Sequence, residues 1–221
     1  MDVELFVKEL EAANNALLSR LAPTETLEAE SAGDLDIVNL LKVALKNEIE
    51  ASELAARWIE STPASMFEVK LAFARQAGDE AKHYRLIEER LRELGADLKG
   101  YNPLQTGYSP LFQYLTTLTD TVERVAAGQF TRESIALVKN QQFIDLCEAK
   151  GDRKTAQLYR DVVQVDEQYH HELGRRILLQ YAAMPDAQER ARKAATRTLE
   201  LAEELQGLLL KKTGIHHAPG C

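Results

Sequence analysis

Two short stretches hold the residue types with the most chemistry in this chain: Asp79-Glu80-Ala81-Lys82-His83 and Asp166-Glu167-Gln168-Tyr169-His170. Each is an Asp-Glu-x-x-His unit within a long run whose apolar residues recur at helical spacing. Residues three apart on a helix share a face, so each unit aims one carboxylate and one imidazole the same way. Doubled in one chain, this face could hold a pair of metal ions, provided two further helices each contribute a glutamate. The question is which elements could bring such a set together.

An amphipathic period over 3–20 (Val3, Phe6, Val7, Leu10, Leu17, Leu18) predicts an N-terminal helix that ends before Pro23, with a short helical turn expected around Thr24–Ala32. A long helix A is predicted from about Leu35 to Ser61, with Asp34 as N-cap. Ser61-Thr62-Pro63 reads as a stop and restart, and helix B follows from Pro63 to Leu94 with Gly95 at its C′ position. Residues 95–109 are irregular. Helix C is expected from Pro110 to about Ala149, helix D from an Asp152 cap to about Ala183, and a last helix over about 186–211. The tail, 213–221, is expected to be mobile. Gly128 interrupts helix C five residues before Glu133, which predicts an irregularity near Ala127–Gln129: a bulge or a plain break between two helices.

Composition narrows the classes. A chain of 221 residues can bury a substantial core, and its 6 prolines and 11 glycines argue for an all-α protein over an all-β or disordered one. The net charge of −8 speaks against a broad nucleic-acid surface. Two cysteines, Cys147 and Cys221, offer neither a disulfide framework nor a cysteine metal site. No apolar run approaches membrane-spanning length and the start, Met1-Asp2-Val3-Glu4, does not read as a signal peptide, so a cytoplasmic location away from membranes is expected.

Geometry then selects the missing glutamates. In an antiparallel helix hairpin, residues at one height lie equally far from the turn. The midpoint of Glu48 and the Glu80/His83 pair falls near residue 65, close to the Ser61–Pro63 turn, and that of Glu133 and the Glu167/His170 pair near residue 151, at Lys150–Asp152. Each set thus meets roughly 25 Å from its own turn. Glu50 and Glu53 compete with Glu48, whereas Glu133 is the acidic residue of helix C near the required height. Glu48 shares its face with Leu41, Ala44, Ala51, Ser52 and Ala55, and Glu133 with Phe130, Ala136, Leu137, Asn140 and Ile144. Carboxylates on apolar faces are costly without a partner, and two divalent cations would cancel four of them. Glutamate and histidine without cysteine suit iron or manganese, with zinc less expected. His171 also follows Glu167 by one turn, but the symmetry of the two units favours His170.

The order Glu48 … Glu80-x-x-His83 … Glu133 … Glu167-x-x-His170 resembles the ferritin-like di-iron carboxylate superfamily over about residues 35–183. That resemblance implies a four-helix bundle with a long crossover between helices B and C, here carrying extra N- and C-terminal helices in a single domain, 1–221. It implies two iron ions, or manganese, with Glu80 and Glu167, or their carboxylate neighbours, bridging, Glu48 and Glu133 completing the shells, and His83 and His170 each binding one metal. Asp79 and Asp166 would accept hydrogen bonds from the ligand histidines. The symmetric set is most similar to the O2-activating branch: ribonucleotide reductase radical subunits, bacterial di-iron monooxygenase hydroxylases and aldehyde-deformylating oxygenases. It departs from them where a radical tyrosine or an active-site threonine would stand, at Ile87 and Leu137. It departs from rubrerythrins in having no cysteine-bound iron site.

The expected activity is an oxidoreductase's: O2-dependent oxidation or oxygenation of a small organic substrate with an external electron donor, in a homodimer. Peroxide or iron handling (peroxidase, ferroxidase or manganese catalase) and a non-catalytic metal-binding role are the alternatives. The small residues Ala44, Ala51, Ser52, Ala55 and Ala136 are expected to leave room for substrate, with Gln76 and Asn140 lining a pocket or serving as polar core. Trp58, Phe73, Phe143 and Cys147 are expected to be packing residues, and His216, His217 and Cys221 plain tail.

Overall fold

A computed structural model of the chain describes residues 1–21, 36–213 and 219–220. The expected turn at Thr24–Ala32, the Asp34 cap, and His216, His217 and Cys221 lie outside the described residues. The described residues are all-α, without a strand. Helix α1 (Val3–Leu21) precedes α2 (Ile37–Ser61), and a short 3-10 turn (Ala64–Met66) leads into α3 (Phe67–Glu93). After the crossover come α4 (Pro110–Thr117), α5 (Thr121–Val125), a π-helical segment (Ala126–Arg132) and α6 (Glu133–Ala149). Helix α7 (Arg153–Leu158), a second π-helical segment (Tyr159–Val163) and α8 (Gln164–Tyr181) form the fourth long helix, and α9 (Pro185–Thr213) closes the order. None of the described helices is long and apolar enough to cross a membrane.

The turns that set the heights are built by local chemistry. Helix α2 starts where the Asp36 carboxylate accepts from Val38 N (2.9 Å), and it ends where Thr62 N and Oγ1 both donate to Trp58 O (3.1 and 2.7 Å) before Pro63. In the turn from the third long helix to the fourth, Gly151 takes φ +80°, Gly151 N bonds Glu148 O and Asp152 N bonds Cys147 O. This left-handed glycine cap runs straight into an N-cap, with Asp152 accepting from Thr155 N (3.1 Å). Gly95 (φ +82°) closes α3 in the same way.

Helix C is broken at a point its apolar pattern does not reveal. The chain leaves helix at Leu118 and re-enters after Asp120, whose carboxylate accepts from Val122 N and Glu123 N. Downstream, the expected irregularity near Gly128 is a bulge rather than a break. Backbone angles stay helical through Val125 and Glu133, while Glu133 N bonds Gly128 O, five residues back. One inserted residue turns the upstream face by roughly 100° relative to the downstream one.

The crossover, 95–109, runs along the outside of α2. Tyr101 OH donates to Lys42 O, Lys46 Nζ to the carbonyls of Pro103 and Gly107, Ser109 N to Glu50 (2.6 Å) and Tyr108 OH to Glu53. Glu50 and Glu53 are thereby committed to holding the connection. Two large apolar clusters fill the bundle, and a smaller one (Leu17, Leu18, Ile135, Leu199, Ala202) joins α1 and α9 to α6. One large cluster, around Trp58, Phe73, Phe112, Phe130 and Leu178, also receives Phe6 of α1 and Ala191 of α9. The other gathers Leu41, Leu45, Ile87, Phe143, Cys147 and Tyr159 at the opposite end. Trp58 and Phe73 rings meet at 5.2 Å and Phe143 and Tyr159 at 4.8 Å, so these aromatics are packing residues, as is the buried thiol of Cys147.

Two helical glycines permit the close approaches around the bulge. A Cβ on Gly128 would fall 2.8 Å from the Trp58 ring, and one on Gly174 would fall 2.9 Å from the backbone of Gln129 and Phe130. Backbone cannot yield as a side-chain tip can. Gly174→Ala should therefore lower stability by roughly 1–3 kcal/mol, despite alanine's better helix propensity. Chemical denaturation measures this, and an unchanged or raised midpoint would show that the α8–bulge contact is not tight.

Candidate metal centre

Between the two apolar clusters, the four long helices bring six side chains to one level. Glu48 comes from α2, Glu80 and His83 from α3, Glu133 from the first residue of α6, and Glu167 and His170 from α8. Glu48 is 5% exposed, Glu167 2%, and the other four 0%. Donor atoms of Glu48, Glu80, His83 and Glu167 lie within 4.8 Å of one another, and so do those of Glu80, Glu133, Glu167 and His170. Glu80 and Glu167 belong to both groups. The arrangement is two metal-sized donor sets sharing two carboxylates.

Both imidazoles turn Nδ1 inward. His83 Nδ1 lies 3.3 Å from Glu48 Oε2 and 3.4 Å from Glu80 Oε2, and His170 Nδ1 lies 3.4 Å from Glu167 Oε2. Their outer nitrogens are held crosswise: His83 Nε2 meets Asp166 (2.9 Å) and His170 Nε2 meets Asp79 (3.2 Å). Each Asp-Glu-x-x-His unit thus orients the histidine of the other. Lys82 joins the two aspartates, at 2.5 Å from Asp166 and 3.3 Å from Asp79. A proton fixed on Nε2 by a carboxylate leaves Nδ1 with a lone pair directed at the centre.

Several expectations sort out here. His171 faces away, its Nδ1 2.8 Å from Phe130 O and 3.0 Å from Ser134 Oγ, so it supports the bulge rather than the centre. Gln76 donates to Glu133 and to Glu80 (3.4 Å). Asn140 accepts from Gly220 N (2.9 Å) while Asn47 donates to Pro219 O (3.2 Å), so one peptide unit of the tail is gripped by two asparagines. The small residues of α2 are taken up in helix packing: Ala51 and Ala55 are 3% and 2% exposed, and Ser52 Oγ donates to Ala77 O.

One participant is absent from the sequence-based set. Arg132, 4% exposed, sets its Nη2 2.9 Å from Glu80 Oε1 and against Glu133 Oε1. A signal for it exists: between Val125 and Val138, Arg132 and Glu133 are the only charged residues, and they are adjacent.

The Rubrerythrin family model matches residues 39–178, which contain all six side chains. The chain belongs to the rubrerythrin family. Rubrerythrins are ferritin-like di-iron carboxylate proteins, so the fold and the metal pair inferred from the ligand spacing stand together in this family. No curated protein and no solved structure matches the chain significantly.

The residues fit such a pair. Glu80 Oε2, Glu133 Oε2, Glu167 Oε2 and His170 Nδ1 are buried without a hydrogen-bond partner. Orphaned acceptors of this kind are expensive unless a cation meets them. Protonation is the other way to settle the charge. Burial raises Glu48 to about 8 despite its hydrogen bond to His83, and burial also carries Glu133 well above the carboxylate range, against the pull of Arg132. Burial would depress both imidazoliums, but their carboxylate partners outweigh it: Glu48 and Glu80 raise His83 to about 12, and Asp79 and Glu167 raise His170 to about 9.

These groups therefore hold protons near neutrality that metal ions must displace. Because each folded-state value lies above the ordinary one, falling pH favours the protonated, metal-free form. Metal affinity should rise between pH 6 and 9, with roughly two or more protons released per chain on loading at neutral pH. Calorimetry in buffers of different ionisation enthalpy counts them; pH-independent affinity would contradict the assignment. Asp166→Asn and Asp79→Asn should each weaken metal binding roughly 10–100-fold while leaving the helical fold intact.

Proposed function

We propose that the chain is a di-iron redox enzyme that reduces peroxide with electrons from an external donor. The observation that carries this reading is enclosure: all six candidate ligands are at most 5% exposed, the neighbouring Ala44, Ala51, Ala55 and Ala136 are buried as well, and Ser52 is bonded to Ala77 O. A centre closed in this way suits a substrate of two oxygen atoms better than an organic molecule. Membership of the rubrerythrin family agrees with a redox role.

Two bound ferrous ions supply two electrons, enough to convert one H2O2 and two protons into two waters. The chain's residues provide the rest. Glu80 and Glu167, the two carboxylates common to both groups, would hold the metals together with Glu48 and His83 on one side and Glu133 and His170 on the other. Asp166 and Asp79 keep the ligand nitrogens aimed inward. Glu48 and Glu133, whose burial raises their proton affinity, are the side chains that could hold a proton within the dry centre. The burial that raises these groups also keeps bulk water away.

O2-dependent oxidation of a small organic molecule is the second reading, favoured by the symmetry of the four glutamates and two histidines about the shared pair. Stopped-flow absorption separates the two. The anaerobic Fe(II) chain should be oxidised by about one H2O2 per iron pair, much faster than by O2. Slow reaction with peroxide, together with rapid O2 uptake coupled to an organic product, would replace the first reading by the second.

A further inference from the structure

Arg132 breaks the symmetry of the centre. It approaches from the end of the bulge, its guanidinium 5.7 Å from the Phe112 ring, and its Nη2 contacts Glu80 Oε1 and Glu133 Oε1. Gln76 Nε2 points at the same two oxygens. The other oxygen of Glu80 faces His83, as Glu48 Oε2 does. So the Glu80 carboxylate is divided: one oxygen belongs to the His83 group, the other to a cation that is part of the chain.

We propose that Arg132 is a built-in competitor for the metal at the His170 group, so that the two positions fill in order, the His83 group first. This rests on the reading of both groups as metal ligands. A metal entering the His83 group meets Glu48 Oε2, Glu80 Oε2 and His83 Nδ1, which face one another. A metal entering the His170 group must draw Glu80 Oε1 and Glu133 Oε1 away from a guanidinium, whose charge does not titrate away. It must also settle beside that positive charge within a buried, low-dielectric site. The second position is then the one whose occupancy follows metal supply.

The test is a titration of the chelator-stripped full chain with Co(II), followed by calorimetry and visible absorption. Two steps about tenfold or more apart are expected. His170→Ala should abolish the weaker step and His83→Ala the tighter one. Arg132→Gln should narrow the gap, while Arg132→Lys, which keeps the charge, should preserve it; circular dichroism verifies that both variants fold. Two equal steps in the unaltered chain, or an unchanged gap in Arg132→Gln, would overturn the proposal. Complete absence of Co(II) binding would instead overturn the ligand assignment itself, and the ordered filling with it.

Discussion

Four carboxylates held at one level inside a helical bundle are the constraint on which the rest of this structure depends. Glu48, Glu80, Glu133 and Glu167 are nearly or fully buried, with apolar side chains packed above and below them. Bare, they would repel one another in a medium that screens poorly. The polar side chains around them answer that problem. The histidines face the carboxylates, Arg132 and Gln76 donate to them, and four donor atoms remain for cations.

The architecture keeps that level fixed. Short, strongly capped turns at Thr62 and Gly151 set the heights of the two hairpins, and the crossover is tied down along α2 through Glu50 and Glu53. Both π-helical segments lie just upstream of a glutamate of the candidate centre, the first ending at Arg132 and the second at Val163. Each re-aims the preceding part of its helix without moving the glutamate that follows. Gly128 and Gly174 then let Trp58 and α8 close against the first bulge.

The buried glutamate and histidine cluster was legible because much of its information is local. Glu-x-x-His is a statement about one helix face, and turn signals are read from two or three residues, so height alone paired Glu133 with its unit but left Glu48 with rivals. Asp79 and Asp166 were legible as histidine partners, but their crosswise pairing depends on how α3 and α8 face each other. The break at Leu118–Asp120 was hidden because Leu115, Leu118, Val122 and Val125 keep helical spacing across it. The second bulge has no marker at all in Tyr159–Val163, since an i→i+5 turn needs no special residue. Arg132 was missed for a different reason: a basic residue beside a glutamate reads as a surface pair unless its burial is known. Glu50 and Glu53 could not be separated from Glu48 until the crossover they hold was placed.

Anomalous diffraction at the iron edge, from crystals of the chain loaded anaerobically with Fe(II), tests the central claim most directly. Two peaks are predicted within the Glu48–Glu80–His83–Glu167 and Glu80–Glu133–Glu167–His170 groups, with Glu80 and Glu167 reaching both. Iron bound elsewhere, or a centre with Arg132 still spanning Glu80 and Glu133 and no metal between the helices, would contradict it.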